Sequence, residues 1–199
     1  MWIKICGMTS PAAVEAALEA QVDAIGFVFA RSLRKLTPEA AATLARPARG
    51  RVRCVAVMQH PTQSAVDEVL GLFAPDLLQS DAGDFASLRL PAALETLAVV
   101  HEGAALPVPL PARILFEGPR SGRGRVSDWG IAAALAPRTE LILAGGLSEA
   151  NVAAAIAQVH PFGVDVSSGV EESPGVKSPA AIARFVAAVR AAVAVRSSA

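Results

Sequence analysis

Cysteine is scarce in this 199-residue chain, aromatic residues are few, and charge of either sign is in exact balance. Each shortage excludes something. Cys6 and Cys54 are the two cysteines, and they lie in separate segments. They form neither a CxxC pair nor a metal-like cluster, so neither a disulfide framework nor a zinc site is indicated. Aromatics make up 5% of residues against a hydrophobic fraction of 53%, so alanine and valine must build a core of tightly packed small side chains. Eighteen basic and eighteen acidic residues cancel, and the sequence pI is about 6.8. Nucleic-acid binders usually show a basic face, so no nucleic-acid partner is expected. An anionic ligand must be held by local dipoles and a few placed cations. No basic, then apolar, leader opens the chain, and no apolar run is long enough to span a bilayer. These absences predict a soluble, cytoplasmic protein without a membrane partner, as a single domain over residues 1–199.

What is present is an alternation. Strand patterns run over 2–6, 23–30, 51–58, 76–79, 97–100, 113–117, 140–144 and 162–167. Helical patterns fill 10–20, 37–45, 62–73, 128–136, 148–159 and 178–193. Ser10-Pro11 and Thr37-Pro38 each read as a capping residue followed by proline at the first helical position. Short connections between alternating elements mark parallel βα units. Eight strands favour a closed (β/α)8 TIM barrel over an open flavodoxin-like sheet, which leaves three strands unexplained. A chain of 199 residues is short for a fold of typically about 250. The stretch HEGAALPVPLPAR (101–113) carries Pro107, Pro109 and Pro111 and cannot be an ordinary helix. The fifth helix is therefore expected to be missing, with a loop in its place.

The barrel reading gives KICGMT (4–9) a meaning. Catalytic residues of such barrels sit at the C-terminal ends of strands and in the loops beyond. Cys6 ends strand 1, Arg34 follows strand 2, Gln79 ends strand 4 and Glu117 ends strand 6. Cys54 is mid-strand and reads as core. Gly145 and Gly146 follow strand 7, while Ser167, Ser168 and Gly169 follow strand 8. Glycines admit a ligand close to the backbone, and a helix N-terminus with free N–H groups binds phosphate. Those five residues are the candidate phosphate-binding site. Asp165, on strand 8, faces either the pocket or the barrel interior, and a ribose hydroxyl contact is open to it. His60 and His101 read as exposed loop residues at the rim, and His160 as structural on the opposite face.

These residues also carry a resemblance. KICGMT (4–9), DAIGFVF (23–29), Arg34 before TPE, ILFE with GRG and SDW (114–129), LAGGLSEANV (143–152) and GVDVSSGVEESPGVKS (163–178) follow one another in the order of the phosphoribosylanthranilate isomerases. The resemblance implies an Amadori rearrangement in tryptophan biosynthesis, without metal or organic cofactor. The substrate is a phosphoribosyl anthranilate, and the protein is a monomer or homodimer. It assigns the general base to Cys6 and the general acid to the carboxylate ending strand 6. Arg34 then contacts the substrate carboxylate, with Gln79 and Asp165 as further substrate contacts. A thiol near its ordinary pKa needs modest lowering to serve as thiolate. The acid needs burial that keeps its proton on.

Two positions depart from the family pattern. Strand 6 ends in Glu117 where Asp is usual, one methylene longer, and the short GPRSGRGR loop is expected to take up the extra reach. Strand 4 continues QSDA, with Asp81 where the pattern has histidine. Asp128 is the other carboxylate nearby and reads as a helix cap. Two other readings remain open: an indole-glycerol-phosphate-forming barrel with Lys4 as its acid, since Lys4 shares a face with Cys6, and a phosphosugar-binding protein without catalysis.

Overall fold

The computed structural model describes residues 1–119 and 126–197. In chain order the elements are β1 (Trp2–Cys6), α1 (Pro11–Glu19), β2 (Ala24–Val28), α2 (Pro38–Ala45), β3 (Arg53–Val57), α3 (Gln63–Leu72) and β4 (Leu77–Asp81). Then come β5 (Glu95–His101), β6 (Arg113–Glu117), α4 (Trp129–Leu135), β7 (Glu140–Leu143), α5 (Val152–Val159) and β8 (Gly163–Val166). A small hairpin, β9 (Glu171–Ser173) and β10 (Val176–Lys177), precedes the closing helix α6 (Pro179–Ser197). Strands β1 to β8 pair in sequence, all parallel, and β8 returns to β1 with Lys4 opposite Asp165. The expected (β/α)8 barrel is closed.

Local chemistry starts the helices where the pattern puts them. Ser10 accepts from the Ala13 N–H, and Thr37 from the Ala40 N–H, each with proline at the first turn. These caps satisfy donors that have no intrahelical partner. Asp128 caps α4 by accepting from Gly130 and Ile131. Among the described residues no helix stands between β5 and β6, as Pro107, Pro109 and Pro111 require, and β4 is followed by only a 3₁₀ turn over Ala82–Ala86.

Several boundaries differ from the sequence reading, among them those of β4 and α5. β4 runs on to Asp81, so Gln79 lies mid-strand rather than at its end. α5 begins at Val152 rather than Ser148. The Asn151 carboxamide accepts from the Ser148 N–H and donates to the Gly146 carbonyl, tying residues 146–151 into a turn before the helix can start.

The period of two along each strand sorts the core into two shells. Ala24, Val55, Leu77, Leu97, Val99, Leu115, Ile142 and Ala144 fill the barrel interior. Ile3, Ile5, Ile25, Cys54, Leu78, Val100, Ile114, Phe116, Val164 and Val166 face outward to helices and loops. Cys54 is therefore core as expected, and burial pushes its thiol up to about 11. The same period turns Cys6, Gln79, Asp81, His101, Glu117 and Asp165 inward at the C-terminal mouth.

Candidate active site

The mouth opens into a cleft of about 850 Å³. Cys6, Arg34, Gln79, Glu117, Gly145, Gly146, Asp165, Ser167 and Ser168 all line it. Of the residues assigned to the site from sequence, Gly169 is the one absent from this lining. A Cβ at Gly169 would lie 1.9 Å from the Leu147 carbonyl oxygen, so this glycine lets the loop after β8 press against the loop after β7.

Cys6 is buried where β1 ends. The following Gly7 has φ of 80°, and a Cβ there would meet the Arg34 side chain at 2.4 Å. The glycine of KICGMT thus turns the chain sharply and lets Arg34 lie across the turn. Beneath Cys6, Lys4 is fully buried and donates to Asp165 at 2.9 Å. Gly26 faces both: a Cβ there would sit 3.1 Å from the Cys6 Sγ and 3.2 Å from the Lys4 Cε. Burial, with the Asp165 carboxylate, raises the Cys6 thiol above its ordinary value, against the modest lowering expected from sequence; the Lys4 and Lys177 ammonium groups offset this only in part. Burial works against the Lys4 charge too, but Asp165 and Cys6 outweigh it and its pKa ends up raised. Full burial and the bond to Asp165 commit Lys4 beneath the cleft, which counts against it as the acid of an indole-glycerol-phosphate-forming site.

Arg34 does not wait free for a ligand. Its Nε and one terminal nitrogen donate to the two Glu171 oxygens at 2.6 and 2.7 Å. Lys177 donates to Glu171 at 2.5 Å and to the carbonyl and hydroxyl of Ser167. The Ser167 hydroxyl in turn donates to the Cys6 carbonyl. Glu171, Lys177 and Asn151 escaped the sequence reading. The available signal was the pair of charged residues flanking the SPG turn in VEESPGVK.

Gly145 and Gly146 have φ of 87° and 61°, values that admit few other residues. Asn151 holds the Gly146 carbonyl turned back, so the backbone of this loop is fixed before a ligand arrives. A 3₁₀ turn over Ser168–Val170 stands opposite. Gln79 is buried, and its Oε1 has no hydrogen-bond partner among the described residues. An orphaned acceptor in a cleft wall awaits a ligand donor.

Glu117 ends β6 and lines the cleft, with its side chain 13% exposed. Part of the GPRSGRGR loop lies outside the described residues. His101 corrects an expectation. It is the last residue of β5, not an exposed loop histidine, and it sits between β4 and β6. Its Nε2 meets Asp81 at 2.9 Å and its Nδ1 meets the Gly118 carbonyl at 3.1 Å. His60 is exposed as expected, yet it is not isolated. It reaches Asp84 at 2.9 Å and Asp81 at 3.3 Å. His60, Asp81 and Asp84 therefore cluster rather than scatter, with donor atoms within 4.8 Å of one another. Both His60 nitrogens face carboxylates, an arrangement that favours the protonated ring. Burial lowers the pKa of His60, but the Asp84 bond is the larger effect and raises it. His160 caps α5 with φ of 51°, on the opposite rim.

Comparison with known proteins gives a consistent picture. Residues 3–188 match the family model described as N-(5′-phosphoribosyl)anthranilate (PRA) isomerase. The chain is 37% identical over 189 residues to the N-(5′-phosphoribosyl)anthranilate isomerase of Rhizobium etli, covering 85% of each. Its fold superposes on the crystal structure of TrpF from Jonesia denitrificans with a TM-score of 0.82, at 36% identity over 97% of this chain and 98% of that one. A phosphoribosyl anthranilate isomerase solved with reduced 1-(o-carboxyphenylamino)-1-deoxyribulose 5-phosphate superposes with a TM-score of 0.78, at 26% identity over 96% and 99%.

Proposed function

The chain belongs to the N-(5′-phosphoribosyl)anthranilate isomerase family, and from that premise we propose how its rim carries out the reaction. The protein is an isomerase of tryptophan biosynthesis. It converts N-(5′-phosphoribosyl)anthranilate to 1-(2-carboxyphenylamino)-1-deoxyribulose 5-phosphate. The single observation that carries the mechanism is that Cys6 and Glu117 face one cleft from β1 and β6, on opposite sides of the barrel mouth. A sugar ring between them meets a base on one side and an acid on the other.

Glu117 gives its proton to the furanose ring oxygen as the anilino nitrogen pushes its lone pair toward C1′. The C1′–O bond breaks and a protonated Schiff base remains. The Cys6 thiolate then takes the proton from C2′. The electron pair of that C–H bond forms the C1′–C2′ double bond and neutralises the nitrogen. The resulting enol tautomerises to the ketone. The net change is an internal oxidation and reduction between isomers, and the proton gained by Cys6 and the one lost by Glu117 are exchanged with water before the next turnover. No external oxidant is required.

Binding follows from the remaining walls. The fixed N–H groups of Gly145, Gly146 and Ser168 take the phosphate, supported by Ser167 through its backbone, since its hydroxyl is already committed to Cys6. Gln79 offers its orphaned Oε1 to a ribose hydroxyl, and Asp165 offers the oxygen that Lys4 leaves free. Arg34 takes the anthranilate carboxylate by its remaining N–H groups, held in aim by Glu171. The working compartment is the cytoplasm, in keeping with two free thiols, and no described helix is long and apolar enough to cross a membrane.

The test uses the fluorescence of freshly made phosphoribosylanthranilate. Wild-type protein removes it catalytically. A stoichiometric loss marks a binding protein, and no loss refutes the reading. Cys6→Ala and Glu117→Gln should each lower kcat by roughly 10²- to 10⁴-fold with KM little changed. Near-normal turnover in Cys6→Ala makes Cys6 a core residue. Near-normal turnover in Glu117→Gln removes Glu117 as the acid and directs attention to Asp128.

A further inference from the structure

His101 takes no part in the mechanism above, yet its ring is the most constrained polar group beside Glu117. Its Nδ1 lies 3.1 Å from the Gly118 carbonyl oxygen and its Nε2 lies 2.9 Å from an Asp81 oxygen. A carbonyl can only accept, and so can an ionised carboxylate. With Asp81 as a carboxylate, this arrangement calls on both ring nitrogens to donate, which only the imidazolium can do. Its Nδ1 is 3.7 Å from the Glu117 Oε1. The three side chains are inward residues of adjacent strands, with His101 in register opposite Glu117.

We propose that His101 is a positioning residue for the acid step, a cation locked by Asp81 that fixes the end of β6 and sits where Glu117 becomes negative. The inference rests on Glu117 being the acid. When Glu117 gives its proton to the ring oxygen, a carboxylate appears beside a charge already in place. A charge oriented in advance requires no rearrangement during the step, which is the general advantage of a preorganised site. The bond to the Gly118 carbonyl also holds the backbone next to Glu117, which limits where the longer glutamate side chain can reach.

The carboxylates and the carbonyl around the ring favour its charge, and His60 opposes it. Asp81 faces it from β4, Glu117 and the Gly118 carbonyl from β6, and His60 shares the second Asp81 oxygen at 3.3 Å. Asp84 lies behind His60 at 2.9 Å. Glu102, next in the chain, turns away to accept from the Asp128 N–H. Burial works against a charged ring, but Asp81, the Gly118 carbonyl and Glu117 together outweigh it, and the His101 pKa is raised. Asp81 thereby acquires a role: one oxygen orients His101 and the other holds His60.

The test has a kinetic and a spectroscopic arm. His101→Gln keeps a polar side chain but loses the charge. Its kcat should fall by roughly 10- to 100-fold, the scale of losing close placement of a catalytic group, with KM within about twofold of wild type. Nitrogen-15 NMR of wild-type protein should show His101 protonated on both ring nitrogens at pH 7, and Asp81→Asn should release one of them. A neutral ring in wild type overturns the proposal even if His101→Gln fails to fold. So does a His101→Gln variant with normal kcat, or one that loses only affinity. Failure of the premise looks different: Glu117→Gln would then retain turnover. If Glu117→Gln is inactive while His101→Gln is normal, the role of His101 alone is refuted.

Discussion

Glu171→Gln is the sharpest test of how the cleft is built. The Glu171 side chain is 4% exposed and the Lys177 side chain 0%, so their contact is dry. Glu171 receives two bonds from Arg34, one from Lys177 at 2.5 Å and one from the Gly175 N–H at 3.0 Å. The carboxylate stands between two cations. Glutamine keeps the shape and one acceptor but removes the charge, leaving two cations facing each other, one fully buried. Removing one partner from a buried ion pair typically costs about 3–5 kcal/mol. Against a total stability of about 5–15 kcal/mol, that is a large fraction. Burial alone would raise the Glu171 carboxyl, but Arg34, Lys177 and Gly175 hold it down to about 2, against an ordinary 4.5. A carboxyl depressed in the folded state adds stability that is fully present above its unfolded value. That stability is lost as pH falls through the folded one. The stability gap between wild type and Glu171→Gln should therefore be widest at neutral pH and narrow between about pH 4.5 and 2. Urea unfolding at a series of pH values measures it. A variant as stable as wild type at pH 7, or a gap that stays constant through the acid window, refutes the argument.

Two further outcomes test the anion end. Gly169→Ala places a methyl group 1.9 Å from the Leu147 carbonyl oxygen, so the two loops must part. KM should rise more than kcat falls, with a stability loss of roughly 1–3 kcal/mol by urea unfolding, and an unchanged KM would show that the loops are not held together by this contact. Crystals grown in sulfate should carry the anion between Gly146 and Ser168; an anion bound only at the opposite rim would overturn the arrangement.

Much of this was legible in the chain because the decisive signals are local. Ser10-Pro11 and Thr37-Pro38 cap their helices through contacts three residues away. The alternate prolines at 107, 109 and 111 exclude a helix whatever surrounds them. Strand period then places Cys6 and Glu117 on one rim. What stayed hidden depends on partners distant in sequence. Lys177 looks like an ordinary surface charge until the β9–β10 hairpin folds it under Glu171. His101 looks like a loop residue because β5 extends beyond its apolar LAVV centre to reach it. Asn151 reads as part of a helix, and its turn becomes visible only when the Gly146 carbonyl appears opposite.

The helix-poor sector between β4 and β6 divides the molecule by local stability. Val100, Ile114 and Phe116 face outward there, and the loops around β5 add half-buried leucines, Leu88, Leu90, Leu94, Leu106 and Leu110, to the same outer core. A loop cover can swing away without melting a helical ladder, so this wall opens at lower free energy than walls backed by α1, α5 and α6. His101 and Glu117 stand at the top of the loop-covered strands, whereas Cys6 and Ser167 stand on strands at the helix-backed side. Warming short of global unfolding should therefore loosen the Glu117 side of the cleft first. On the proposed roles, the protein should then still bind a phosphate ester that it no longer isomerises. Proteases should find the segment 102–112 before any other part of the barrel wall.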